Sequence, residues 1–294
     1  MWHWKSSCQM TPMGLGNLCR EMAARKLSRI LFVGDSTSLS QLTSLYLLVG
    51  GNHLPMTPGR NTMCERWLNC SRWDLEPIQL RYIRSDKAGE SVARLMPTAS
   101  HCDDDSGRVD QCQPWLHEYA SDPAPTLLLL NFGVHYHDAD EWRRAFDALL
   151  RTLEGLLATN RSGDSFWWRT SAPGHVACQR FSEPLSSAAE MGAPDTWPYD
   201  WNLTTRFNHH ARHAMRALPA RIAARSSVLD IEAMTMLRPD GHYGSTTLPA
   251  APPYVKHDCL HYFLPGPPDW WNHVFMSQLA AQDAAPTNRN RHRR

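Results

Sequence analysis

Short apolar runs closed by turn-forming residues predict buried β-strands at 29–34, 78–84, 126–133, 165–171 and 227–232. Between most of them the polarity repeats with a helical period. The clearest such stretch, about 140–158, puts Trp142, Phe146, Leu149, Leu150, Leu153 and Leu157 on one face. Asp138 followed by Glu141 has the form of a capping box at its start, with Asp in place of Ser or Thr. A second helix is predicted from Ser36 to about Leu48, ending at Gly50-Gly51, and a third over about 206–218. Strands alternating with helices predict an α/β fold: a three-layer α/β/α sandwich around a mostly parallel, five-stranded sheet.

The remainder is loop-rich, at 51–76, 86–124, 172–200 and 236–268, with no internal repeat and no linker. The expectation is one domain over 1–283, then a basic, disordered tail at 284–294 that carries Arg289, Arg291, Arg293 and Arg294. Charged residues make up 20% of the chain and the net charge is +1, which excludes a body built to bind nucleic acid or an anionic membrane. No apolar run reaches the ~20 residues that cross a bilayer. The first eight residues lack the apolar region of a signal peptide, so membrane attachment is expected only through an anchor missing from this chain. Eight cysteines change the picture: 8, 19, 64, 70, 102, 112, 178 and 259, with close pairs at 8/19, 64/70 and 102/112. With sequons at Asn69, Asn160 and Asn202 they point to a disulfide-stapled protein of the secretory pathway, in the Golgi lumen or outside the cell. Cys178 and Cys259 each lack a near neighbour in the loop-rich C-terminal half, and are expected to pair with each other.

The candidate chemistry lies at opposite ends of the chain. The first predicted strand stops at Gly34-Asp35-Ser36, which sets a serine at the C-terminal tip of a buried strand. A serine hydroxyl needs an imidazole to take its proton, and the imidazole needs an orienting carboxylate. Asp258 and His261 can supply both from one turn, followed by Pro265-Gly266-Pro267. Alone, Ser36 reads as a helix N-cap and Asp258/His261 as a surface turn or metal-binding pair; together, in this order on an α/β chain, they read as a serine acyl-transfer site. Asn131 ends another strand, where its amide either donates to an oxyanion beside the Ser36 N–H or caps the following loop.

Fifteen histidines and twelve tryptophans need weighing. His135/His137 and His209/His213 have metal-compatible spacings, yet no cysteine or carboxylate completes a zinc pattern, and the 102–112 loop fails the calcium-loop template. They read as surface or core histidines, with no metal and no cofactor expected. Trp167 and Trp168 read as core; Trp270 and Trp271 read equally as core or as faces for sugar rings.

The segments Phe32-Val33-Gly34-Asp35-Ser36 and Asp258-Cys259-Leu260-His261 resemble the PC-esterase family of SGNH/GDSL-type proteins. That family includes the plant trichome-birefringence-like polysaccharide O-acetyltransferases and Cas1-like acetylation proteins. Asn131-Phe132-Gly133-Val134-His135, the stretch from Arg169 to His175, and Arg238-Pro239-Asp240-Gly241-His242 are similar to further family segments in the same order. The resemblance spans about residues 4–275. It implies a three-layer α/β/α fold, several disulfides and a triad in which Ser36 is nucleophile, His261 base and Asp258 orienter. Oxyanion and substrate contacts are expected from Asn131, Gly133, Asp35 and Arg169, with the second oxyanion donor unassigned. Plant members sit in the Golgi behind an N-terminal anchor.

The expected activity is serine-dependent acyl transfer on glycan O-acetyl esters, as O-acetyltransferase or acetylesterase. Its partners would be an acetylated polysaccharide or glycan and an acetyl donor, acetyl-CoA or an acetyl ester. The rivals are a catalytically silent glycan-binding protein that keeps the fold and a metal-dependent hydrolase using the histidine pairs.

Overall fold

A computed structural model describes residues 10–52, 63–88, 115–192, 198–245 and 258–284. Cys8, Cys102, Cys112 and the basic stretch beyond Ala284 lie outside the described residues. Among the described residues the sheet has six strands in the order β2-β3-β1-β4-β5-β6. These are β1 (Arg29–Gly34), β2 (Met63–Leu68), β3 (Ile78–Arg84), β4 (Thr126–Asn131), β5 (Ser165–Arg169) and β6 (Ser226–Leu229). All neighbours are parallel except β2, which runs antiparallel to β3 along one edge.

Every residue of β1, β4 and β5 is buried, as near-continuous apolar runs in a parallel sheet require when helices cover both faces. On one face lie α1 (Leu15–Ala24), α2 (Ser36–Leu48) and α8 (Pro267–Ala284); Leu18, Leu42, Leu45, Phe275 and Leu279 pack with Ile30, Phe32 and Leu129 there. On the other lie α3 (Trp115–Ser121), α4 (Ala139–Ala158) and α5 (Thr204–Arg216), whose Trp115, Trp142, Phe146 and Phe207 join Leu31, Leu128 and Trp168. Trp142 is sandwiched between Phe146 and Phe207 at ring separations of 4.9 and 4.8 Å. The short helices α6 (Ala220–Ala223) and α7 (Glu232–Thr235) flank β6.

The α/β sandwich is thus as predicted, with one strand more. β2 falls inside the stretch expected to be loop, because an edge strand with Glu65 and Arg66 in it and Trp67 57% exposed carries no apolar run. Strands β4 and β5 also end two residues before the predicted limits, since the chain turns away at the sheet edge: Tyr136 N–H already donates to Gly133 O, at 3.0 Å.

Two disulfides staple the described residues. The expected Cys178–Cys259 bridge is present, and Cys19 pairs with Cys70, tying α1 to the turn after β2. Cys64 is a free thiol on β2, so the close spacing of 64 and 70 does not mark a pair. Six residues of extended chain span about 20 Å, far beyond disulfide reach. In the loop-entropy account, bridges closing separations of 51 and 81 residues are each worth about 4 kcal/mol. Non-reducing peptide mapping should recover both linked pairs. Burial pushes the Cys64 thiol up to about 11, leaving about 0.1% thiolate at pH 8. Iodoacetamide should therefore label Cys64 far more slowly in native protein than in denaturant; equal rates would contradict this placement.

Candidate active site

The site starts where three strands end level. Gly34 of β1 sits between Arg84 of β3 and Asn131 of β4 in the register. A Cβ on Gly34 would lie 2.0 Å from Asn131 O and 2.5 Å from Ser38 Oγ, so only glycine lets the chain turn here. Asp35 then caps α2, accepting from Thr37 N–H at 2.9 Å. The buried Tyr82 hydroxyl lies 3.1 Å from both the Gly34 and Asp35 carbonyls. Ser36 follows as the first residue of α2, and its N–H is one the helix itself does not use.

The second part is the turn at 258–261. Asp258 Oδ1 accepts from Leu260 N–H at 3.0 Å and His261 N–H at 2.9 Å, folding the turn around its own carboxylate. Asp258 Oδ2 lies 2.7 Å from His261 Nδ1, and His261 Nε2 lies 2.6 Å from Ser36 Oγ. A carboxylate only accepts, so Nδ1 carries the ring proton and Nε2 presents a lone pair to the serine. Burial raises the Asp258 carboxyl, but the His261 side chain and the two backbone N–H groups outweigh it and hold the group below the usual carboxylate range.

The turn is pinned from outside. The Cys178–Cys259 bridge joins it to the loop after β5, His175 N–H donates to Cys259 O at 3.0 Å, and Gly244 N–H donates to Asp258 O at 2.8 Å. A Cβ on Gly244 would come within 2.9 Å of that carbonyl.

Beneath Ser36 lies Arg169, fully buried. Its Nη2 donates to Thr37 Oγ1 at 2.8 Å, Ser38 Oγ at 3.1 Å and Asn131 Oδ1, and the guanidinium stands 5.1 Å over the Trp271 ring. Thr37 in turn donates to Asp35 Oδ1, making a buried ion pair through a hydroxyl. Burial lowers Arg169 to about 10, with the Asp35 charge opposing the shift.

Of the predicted residues, Ser36, His261 and Asp258 come together, and the others take supporting places. Asn131 is not the free oxyanion donor that its strand-tip position offered. Its carbonyl faces the Arg169 guanidinium, which fixes the amide, and both amide hydrogens are spent on Arg169 O at 3.0 Å and Ser171 Oγ at 3.1 Å. Gly133 serves close approach, since a Cβ there would meet Ser171 Oγ at 2.3 Å. Asp35 is helix cap and counter-charge to Arg169.

Sequence reading missed Thr37, Tyr82 and a polar group on the β3 side of the same edge. There Arg84 grips Asp86 at 2.9 and 3.1 Å, and His135 Nε2 lies 3.6 Å from Asp86 Oδ2. Burial raises the Asp86 carboxyl although His135 and Arg84 oppose it. The pairing of Gly34 with Arg84 was the missing signal, and only the folded register supplies it. His137 instead meets Asp200 at 2.9 Å, so the His135/His137 spacing serves two separate carboxylates. Trp271 is core; Trp270 is partly exposed beside His273.

Residues 130–278 match PC-Esterase, the GDSL/SGNH-like acyl-esterase family found in Pmr5 and Cas1p. The chain is 31% identical over 316 residues to xyloglucan O-acetyltransferase 1 of Arabidopsis thaliana, covering 95% of this chain and 70% of that protein. It is 22% identical over 325 residues to xyloglucan O-acetyltransferase 1 of Populus trichocarpa, covering 96% and 72%. It is 23% identical over 292 residues to xylan O-acetyltransferase 2 of Oryza sativa subsp. japonica, covering 87% and 56%.

Removing Arg169 strands the Asp35 carboxylate in the core, so Arg169→Ala should cost about 3–5 kcal/mol, read as a lower denaturant midpoint. A loss under 1 kcal/mol would show that the pair carries no such role. Because the folded-state pKa of Asp258 is depressed, its stabilisation is complete above the unfolded value near 4 and is lost as pH falls through the folded value. The stability gap between wild type and Asp258→Asn, measured by urea unfolding, should therefore narrow only below about pH 4. A gap that closes between pH 5 and 7 would contradict this.

Proposed function

This chain belongs to the PC-esterase family of GDSL/SGNH-like acyl-esterases, and on that premise we propose that it moves acetyl groups on glycan hydroxyls through an acetyl-serine intermediate. The observation that carries the proposal is the continuous contact from Asp258 through His261 to Ser36, at 2.7 and 2.6 Å. Both reach and order suit nucleophilic catalysis by a hydroxyl.

In the first half, His261 Nε2 takes the Ser36 Oγ proton as Oγ attacks the acetyl carbon of the donor, acetyl-CoA or an acetyl ester. Asp258 offsets the imidazolium charge. The tetrahedral oxyanion faces the Ser36 N–H, at the positive end of α2. Collapse breaks the bond to the leaving group, which receives the proton from His261. In the second half the acceptor, a sugar hydroxyl or water, loses its proton to Nε2 and attacks the acetyl-serine carbon, and Ser36 leaves as the hydroxyl. Transfer and hydrolysis share every one of these groups and differ in what excludes water from the second half.

The oxidising lumen of the secretory pathway, Golgi or exterior, is the compartment proposed. Two disulfides among the described residues favour it. The sequon asparagines Asn69, Asn160 and Asn202 are all exposed, as glycan attachment requires.

Ser36→Ala should lower hydrolysis of an acetylated chromogenic ester about 10⁴-fold or more, with the melting temperature nearly unchanged. Near wild-type turnover in a variant free of contaminating esterase would refute the mechanism.

A further inference from the structure

His175 and His242 sit side by side in the interior, each with no exposed surface. His175 Nδ1 lies 2.6 Å from His242 Nε2. The two outer nitrogens each face a backbone carbonyl: His175 Nε2 is 3.0 Å from Met236 O, and His242 Nδ1 is 3.1 Å from His261 O. A carbonyl oxygen can only accept, so each outer nitrogen must carry a hydrogen. The inner contact also needs a hydrogen between its two nitrogens. That makes three ring protons, whereas two neutral imidazoles own two. Every neutral arrangement therefore sets lone pair against lone pair at one of the three contacts.

We propose that His175 and His242 form a buried imidazolium–imidazole pair sharing three ring protons, and that through the His261 carbonyl it positions the catalytic base. The surroundings bear on that charge from several sides. The Tyr262 ring is stacked on His242 at 4.1 Å and 28°, presenting the electron-rich face that attracts a cation. The Asp240 carboxylate reaches His175 with a favourable charge, although Arg238 grips it at 2.9 Å through both oxygens. Against the charge stand burial, which pushes His175 down to about 4 and His242 well below the usual imidazole range, and the neighbouring His261, itself paired with Asp258. Arg169 is more distant, behind Trp271, which meets Tyr262 edge-on. The three-contact geometry wins because a neutral pair would forfeit a hydrogen bond and replace it with a repulsion in a site closed to solvent.

The consequence for the site is positional. The His261 carbonyl is held by His242 Nδ1 and by Tyr243 N–H, each at 3.1 Å. These two contacts fix the backbone of the residue whose Nε2 must stay 2.6 Å from Ser36 Oγ. Neither His175 nor His242 touches the reacting atoms; they act through the turn.

The test is a count. Long-range ¹H–¹⁵N spectra of the whole protein, with ¹⁵N-labelled histidine and at pH 6, should show three N–H protons on the pair. Both outer nitrogens should be protonated and one strongly deshielded proton shared between the rings. His175→Asn and His242→Gln assign the signals; should either fail to fold, the pair is still the one imidazole set showing a shared inner proton. Two protons, with one outer nitrogen bare, would overturn the proposal. The positional arm rests on the triad reading: His242→Gln should lower kcat on the acetylated ester about 10²-fold at unchanged KM. A raised KM at unchanged kcat, or no change in either, would overturn that role. The proton count does not depend on catalysis, so an active Ser36→Ala enzyme would refute the triad and leave the count to stand or fall alone.

Discussion

The constraint on which the site depends is a guanidinium with no access to water. Arg169 ends β5, and the groups that meet its charge come from the helix after β1 and from β4: Thr37 and Ser38 at the start of α2, and the Asn131 amide. A buried cation is costly unless hydrogen bonds and nearby charge offset it; here Nη2 is met by these three groups and the guanidinium face by Trp271, while Nε and Nη1 have no hydrogen-bond partner among the described residues. Here meeting it fixes the heights at which three parallel strands end. Asp35 supplies the compensating charge through the Thr37 hydroxyl, and the same carboxylate caps α2. One interaction therefore sets the strand tips, starts the helix and leaves Ser36 at its first turn. The polar residues under the serine are structural, and they hold the Ser36 hydroxyl in place.

The imidazole arrives by a different route. Its turn lies 225 residues from Ser36 in the chain, and α8 follows it directly to pack on α2. On α8 Asn272 Nδ2 donates to Gln41 O at 2.9 Å and to Ser44 Oγ at 3.0 Å, so the helix after the turn is locked to the helix that carries Ser36. The Cys178–Cys259 bridge and the carbonyl contacts made by His175, Gly244, Tyr243 and His242 hold the turn from the segments that follow β5 and β6. A triad needs its members within a few tenths of an ångström, and loops reach that accuracy only when clamped in this way.

The amino-acid sequence makes the centre of the sheet legible. β1, β3 and the helix from Ser36 fall on their predicted limits because buried parallel strands are continuous apolar runs and glycines mark the turns. That Ser36, Asp258 and His261 meet is legible too, since each of the two motifs is local and a serine, an imidazole and a carboxylate are types that hydrogen-bond in this order. What hid was anything defined by a distant partner. β2 borrows its hydrogen bonds from β3 and needs no apolar run of its own. α8 begins inside a proline-rich stretch, and its Trp271 is turned inward with Phe275 and Leu279 at helical spacing. Asn131 stands at the predicted strand tip, but where its amide points depends on Arg169, 38 residues away. The His175–His242 contact joins residues 67 apart through two rings that no spacing rule would pair.

In the mechanism proposed, the acyl group rests covalently on Ser36 during turnover. Acid-quenched samples taken while the protein turns over an acetyl donor, digested and read by mass spectrometry, test it most directly. An acetyl adduct on Ser36 that accumulates without acceptor and discharges when a glycan acceptor or water takes the group is the predicted result. Turnover that continues with no acetyl on Ser36, or with the adduct on another residue, would contradict it.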